Sequence, residues 1–363
     1  MKKIICMESF AGYPDTEGVK NTKILEASVN AFAPMPAEYG YIAPAYVIDK
    51  SYGSRSSWIG SVTADGTTYR GLVESGNYYY GHVTFNLPKM ELDSNKRLWV
   101  GCRISSTKFK NNVPLVGFLS SSSTVMAPAV GEGSYYLEVA VDVKAQCYYI
   151  YRNKELIQTL AFTGGDKNYI PQAKGAVIHM GNGRDYGTSV ATDNVCYSDL
   201  YVAIETWGAD ETAPALTPFG PVRVRSRKVT KVDAANFSTN NDSKEAAVQF
   251  VSEPTSILNT KPLFTDPDGG VGKFEFSALT ETHVPLAFQV TMAARRGVSS
   301  IGKLMSNVTD GKSTVKITDS QPPLQTNTNI PSYVYCSDTK LDGTPLDGEY
   351  INKLSVEAHS EEG

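Results

Sequence analysis

Apolar side chains recur mostly at every second position, in short segments bounded by Gly, Pro, Asn or Asp. That is the pattern of antiparallel strands with one buried face. Over the first part of the chain it predicts strands near 2 to 9, 56 to 62, 78 to 87, 97 to 105, 113 to 119, 135 to 143, 146 to 152, 156 to 162, 176 to 181 and 194 to 204. So many short strands predict two packed sheets, with few helices. The alternation restarts at Val222 and Val224, with Arg223, Arg225 and Arg227 on the opposite parity, which predicts a strand there. Further strands are expected near 246 to 252, 272 to 278, 286 to 294, 314 to 318, 332 to 337 and 350 to 357. The polar stretches 236 to 243 and 318 to 331 read as exposed loops.

Between the two blocks, residues 205 to 221 carry three prolines and little periodicity, the mark of an extended linker. Trp207 and Phe219 within it gain from burial, so the segment is expected to lie pinned across one domain. The predicted organisation is all-β: two antiparallel β-sandwich, jelly-roll-like domains, 1–204 and 222–363, joined by a Pro-rich linker at 205–221.

Two local features are readable in detail. Tyr148-Tyr-Ile-Tyr151 and Glu155-Leu-Ile-Gln-Thr-Leu160 flank Arg152-Asn153-Lys154, a hairpin whose turn places Asn153 where left-handed backbone is tolerated. In the segment 194 to 204, Val195 and Tyr197 have one parity and Leu200 and Val202 the other. Ser198-Asp199 therefore reads as a bulge, the alternative being a strand buried on both faces.

Length changes this picture little: 363 residues exceed what one core usually serves. A formal charge of −4 lacks the basic excess that gripping nucleic-acid phosphates requires, so a nucleic-acid partner is not expected. No apolar run approaches the roughly 20 residues of a membrane span, and Glu8 interrupts the apolar start, so Met1 to Glu8 reads as a first strand. The five cysteines (6, 102, 147, 196, 336) are widely spaced without a C-x-x-C pair, and are expected to be buried, reduced thiols.

No spacing supports a catalytic, metal or cofactor site. Glu138 and Asp142 share parity on one predicted strand, as hydrolase carboxylates do, but lack a third acid in register, and read as structural residues on an exposed face. His82, His179, His283 and His359 are isolated. Asp266-Pro-Asp-Gly-Gly270 and Met180-Gly-Asn-Gly-Arg184 read as turns. Tyrosine clusters offer rings to a glycan, with Tyr79, Tyr80, Tyr136 and Tyr149 as candidates, against packing as their ordinary role. The basic row Arg223, Arg225 and Arg227 suits contact with an acidic neighbouring subunit, or cross-strand pairing.

Several short motifs recur in one order along nearly the whole chain: Glu8-Ser-Phe-Ala-Gly-Tyr13, the Arg152-Asn-Lys-Glu hairpin, Asp193-Asn-Val-Cys-Tyr-Ser-Asp199, Phe219-Gly-Pro-Val-Arg-Val224, Ala293-Ala-Arg-Arg296 and Tyr350-Ile-Asn-Lys-Leu354. Together they resemble tailed-bacteriophage virion proteins in which a concanavalin-like or laminin-G-like sandwich precedes a smaller β domain. Pro221 stands where that family usually has Asp, Asn194-Val-Cys replaces Asp-Val-Tyr, and Lys154 replaces a frequent Gly. The resemblance implies a virion structural component, tail-associated (fibre, baseplate or collar) or a capsid decoration. It would be made in the host cytoplasm and work through contacts with other virion proteins and copies of itself, with no catalytic residue. The alternative is a carbohydrate-binding adhesin that meets a host surface glycan through the aromatics of the first domain.

Overall fold

The computed structural model describes residues 1–10, 56–77, 82–87, 93–106, 113–118, 124–127, 133–162, 176–181, 191–235, 237–238, 264–265, 269–280, 284–294, 296, 302–322 and 332–362. Contacts divide the chain into two compact units, whose described residues run to Arg225 and from Ser226.

The first unit contains β1 (Lys2–Glu8), β2 (Ser56–Ala64), β3 (Thr67–Asn77), β4 (His82–Leu87), β5 (Lys96–Ser106), β6 (Val113–Phe118), β7 (Thr124–Ala127), β8 (Gly133–Asp142), β9 (Cys147–Arg152), β10 (Glu155–Ala161), β11 (Ala176–Gly181) and β12 (Ala191–Thr206). They form an 8-stranded sheet, ordered β10-β9-β8-β5-β12-β3-β2 with β1 also on β12, and a 4-stranded sheet, β4-β11-β6-β7. Every ladder is antiparallel, as the period-two pattern predicts, and the protein is all-β of the sandwich class.

β12 organises the larger sheet. Its first part pairs with β3 through Tyr197↔Leu72, and its last part pairs with β1 from Leu200↔Glu8 to Glu205↔Lys2. The ladder with β5 slips between Ser198 and Tyr201, and Asp199 sits in left-handed backbone at φ 52°. The parity break in the sequence is this bulge, and it marks where the strand changes partner. The hairpin also forms as read: Arg152↔Glu155 closes a two-residue turn with Asn153 at φ 49° and Lys154 at φ 79°, the left-handed pair that fits the twist of a tight hairpin.

Alternation gives the large sheet an apolar face carrying Leu98, Val100, Val139, Val141, Ile150 and Val202, all fully buried. The opposite face would ordinarily meet water. Instead it too is buried at Arg97, Trp99, Tyr136, Glu138, Asp142, Tyr201 and Glu205.

The second unit holds β13 (Val229–Ala235), β14 (Phe237–Ser238), β15 (Phe264–Thr265), β16 (Val271–Phe276), β17 (Phe288–Ala293), β18 (Lys303–Thr309), β19 (Thr314–Ser320), β20 (Ser332–Ser337), α1 (Gly348–Lys353) and β21 (Ser355–Glu361). Its main sheet runs β13-β16-β21-β18-β19, and β17 pairs with β20. Phe288, Val308, Tyr350, Ile351, Leu354 and Val356 form its core, with Phe274, Ile317 and Tyr335 packed against them.

Four expectations are corrected. Residues 222 to 228 lie outside any ladder, and the strand of this region starts at Val229. Residues 348 to 353 are helical because Asp347 caps the turn, its Oδ1 accepting from Tyr350 N at 2.7 Å, so the last strand begins at Ser355. Strand β3 was unanticipated because Gly71 interrupts its pattern. A Cβ there would lie 2.1 Å from the Tyr197 carbonyl oxygen, so the close strand approach requires glycine. β7, β13 and β18 lack clean alternation and were also unanticipated. The strand expected at 246 to 252 lies outside the described residues.

Candidate functional site

The cover on the polar sheet face is residues 207 to 224, a strap without a ladder of its own. Its entry is fixed where Trp207 N donates to Asn95 O at 3.2 Å and Asn95 Nδ2 donates to Trp207 O at 3.2 Å. Further along, the sheet's cations take strap carbonyls: Arg97 donates to Pro214 O at 3.2 Å, and Lys2 Nζ donates to Thr217 O. The sheet's carboxylates take strap amides. Phe219 N donates to Glu138 Oε1 and Gly220 N to Oε2, each at 2.8 Å, and Val224 N donates to Asp199 Oδ1 at 2.9 Å. Prolines at 214, 218 and 221 remove three of the strap's amides, and those that are buried need a partner.

Beneath it the side chains satisfy one another. Arg97 donates to Asp142 at 2.9 and 3.1 Å and to Glu205 at 2.7 Å, while Trp99 Nε1 donates to Glu205 at 2.9 Å. Arg103 pairs with Asp199 at 3.1 Å. Tyr201 OH donates to Glu138 at 2.5 Å. Lys2 Nζ sits 3.7 Å from the Trp99 ring centroid and 4.3 Å from that of Phe219, a cation–π position. Phe219 meets Tyr201 edge-on at 5.2 Å.

Glu138 is the centre of this arrangement. It is 0% exposed; burial raises its carboxyl above the ordinary value, against the pull of the bonds from Tyr201, Gly220 and Phe219. Burial likewise lowers the Lys2 ammonium, opposed by Glu205 and Glu138. The Tyr201 hydroxyl is pushed well up, first by burial and then by Glu138. Both Glu138 oxygens are engaged by donors, so the carboxylate has no oxygen turned to open solvent.

Gly220 explains the shape of the contact. It is buried at φ 84°, where a Cβ would lie 2.1 Å from Lys154 Cε. The Lys154 stem therefore lies across the strap at its tightest point. Asn153 in the same turn holds β8, accepting from Tyr136 N at 2.9 Å.

Several sequence-based site expectations change. Glu138 and Asp142 share a face as expected, but it is buried, not exposed. Tyr136 is corrected as a glycan contact: its ring is 0% exposed and stacks 6.4 Å from Tyr201, and its hydroxyl donates to Asp199 O at 2.8 Å. Tyr149 is half-buried, and a bond with Cys147 together with burial pushes its hydroxyl up to about 12. Tyr79 and Tyr80 lie outside the described residues. Arg223 and Arg225 are exposed, whereas Arg227 turns into the second unit and donates to Ser277 O, Phe276 O and Ile351 O. It is therefore corrected as a free subunit contact, because its donors hold the end of α1. None of the five cysteines forms a disulfide, and all but Cys336 are buried. Among the described residues no group of His, Cys, Asp or Glu is arranged to hold a metal ion, and no helix is long and apolar enough to cross a membrane. The sequence gives no direct sign of the roles of Lys2, Arg97, Tyr201 and Glu205, beyond three charged residues set among apolar strand residues, and marks Asp199 only as part of the bulge.

No family model matches the chain, and no curated protein matches it. Among solved structures it is similar to a sialidase, at 9% identity and TM-score 0.26, over 48% of this chain and 18% of that one. It is also similar to a protein from a study of endo-acting O-glycanases of the human gut microbiota, at 11% identity and TM-score 0.26, over 56% of this chain and 98% of that one. A third is the CBM22-1-CBM22-2 tandem domain of Paenibacillus barcinonensis Xyn10C, at 6% identity and TM-score 0.23, over 89% of each chain. At such identity and superposition these likenesses carry no argument about the site, which rests on its own geometry.

Proposed function

We propose that the protein is a non-enzymatic structural subunit of a bacteriophage virion, tail-associated or decorating the capsid, acting by protein–protein assembly. The observation that carries this reading is the fate of Glu138, the residue best placed for hydrolytic chemistry: it is fully buried, and both its oxygens accept from the chain's own strap or Tyr201. A catalytic carboxylate must reach a substrate within hydrogen-bond range, whereas this one fastens the fold. Three of the six motifs that resemble virion proteins meet here as well: Asn153 and Lys154 of the hairpin, Asp199 of the bulge and Phe219 to Val224 are parts of one fastening.

Quantitative mass spectrometry of purified particles tests the reading. Hundreds of copies correspond to capsid decoration and a handful to a few dozen to a fibre, baseplate or collar part, while absence from the particle refutes it. A second reading is a carbohydrate-binding module, and the half-buried Tyr149, opposite Thr159 on the outermost strand β10, is the aromatic it would use. Glycan-array binding that is lost on Tyr149→Ala supports it; silence across host surface glycans counts against it.

A further inference from the structure

We propose that the polar face of the 8-stranded sheet is a peptide-recognition groove whose occupant is exchanged between copies, residues 214 to 224 of one copy filling the groove of another. Recognition in the groove is directed at main chain. Arg97 and Lys2 take the carbonyls of Pro214 and Thr217 in its first part, and Glu138 and Asp199 take the amides of Phe219, Gly220 and Val224 in its second. Such contacts give an extended peptide its affinity, and side-chain pockets give it specificity. Here specificity comes from position 220: the left-handed φ of 84° and the Lys154 stem favour glycine, next to a Phe219 ring seated on Tyr201 and Lys2. The preferred occupant therefore reads Phe-Gly at that point, and every copy of this chain carries one.

The strap is also separable. It contributes no strand to any sheet, so its departure breaks no ladder. Residues 208 to 212, which precede the contacts, are all exposed and supply the slack for it to leave. In one isolated copy the tethered strap wins by its high effective concentration. Where identical subunits are crowded, the same bonds form in trans, the usual low-cost route to swapped oligomers. The inference extends the structural-subunit reading, which supplies the crowding, but its test uses purified protein and so stands apart from that reading's failure.

Two full-length variants are co-refolded at 1:1, one isotopically labelled: Glu138→Ala, with a damaged groove and intact strap, and Gly220→Val, with a damaged strap and intact groove. The expected result is a 1:1 heterodimer in which the Phe219 and Gly220 amides of the Glu138→Ala copy regain protection from hydrogen exchange. Each variant alone should stay monomeric with an unprotected strap. A mixture that behaves as the sum of its parts overturns the proposal. Should either variant fail to fold, wild-type protein refolded at high concentration from mixed isotopes decides it. A mixed-mass dimer that survives dilution is expected, and monomer at every concentration overturns the proposal.

Discussion

Replacing Glu138 separates two accounts of a buried acid, one in which it fastens the strap and one in which it is a tolerated burden. Glu138→Ala orphans three donors, Tyr201 OH, Phe219 N and Gly220 N, which now bond at 2.5, 2.8 and 2.8 Å. Each such net bond is worth about 1 kcal/mol, and more when the acceptor is charged, so the loss should total about 3 kcal/mol. Relief of the buried charge and rehydration of a released strap limit it to that range. Glu138→Gln keeps an oxygen for two donors but turns an amide NH2 toward Gly220 N, for about 1–2 kcal/mol. All three tryptophans, Trp58, Trp99 and Trp207, lie in the first unit, so their fluorescence follows its melting without the second. For a unit of this size about 3 kcal/mol lowers the midpoint by roughly 6–12 °C. The pH dependence has a definite sign. Because burial raises the Glu138 carboxyl in the folded state, its contribution is greatest below the unfolded value of about 4.3 and declines as pH rises through the raised one. The wild type should therefore gain on the Gln variant as pH falls from 8 toward 5. A Gln variant that melts at or above the wild type at pH 8, with Gly220 still protected from exchange, would refute the fastening account.

Four further outcomes follow from other contacts. Arg97→Met strands the buried Asp142 and Glu205 and should cost about 3–5 kcal/mol in urea unfolding; adding Asp142→Leu and Glu205→Leu should recover much of it. Gly220→Ala should cost about 1–3 kcal/mol from backbone strain plus collision with Lys154, and a double-mutant cycle with Lys154→Ala should show the collision part removed. In the second unit Asp310 and Asp347 are held below the ordinary carboxylate range: at Asp310 burial pushes upward but is outweighed by the Ser313 and Lys312 amides, and at Asp347 Lys340 is the chief cause. That stability is present above the unfolded value and is lost as pH falls through the lowered folded one, so exchange protection near 310 to 314 and 340 to 350 should fall as pH drops below about 4. Burial pushes the Cys102 thiol well up and Cys196 to about 12, so at pH 8 a thiol reagent should modify Cys336 well ahead of both.

What the sequence revealed depended on whether a position's role is set by its neighbours in the chain. The hairpin at Asn153 and the bulge at Asp199 were legible because turn chemistry and parity are local. Trp207 and Phe219 gave away the pinned strap, since large aromatics do not stay in water. The site was not legible. Glu138 looked like an exposed acid because alternation reports which face a residue takes, not what covers that face, and its cover lies 81 and 82 residues away. Arg223, Arg225 and Arg227 looked like one strand row, yet Val222 and Val224 alternate against the first unit without a ladder and Arg227 belongs to the second. Position 350 reads as a strand because α1 is a short helix of six residues whose main local start signal is the Asp347 cap.

The pairing of β1 with the end of β12 has a consequence for how the protein is made. Lys2 lies opposite Glu205, so β1 waits on the nascent chain for a partner made some 200 residues later, about 10–40 s at ordinary elongation rates. The strap that closes the face arrives later still. Until then a charged, aromatic surface stands open on the nascent chain, and such long-range closures are slow. Yield in a recombinant host should therefore respond more to translation speed and chaperone supply than to the stability of the finished fold.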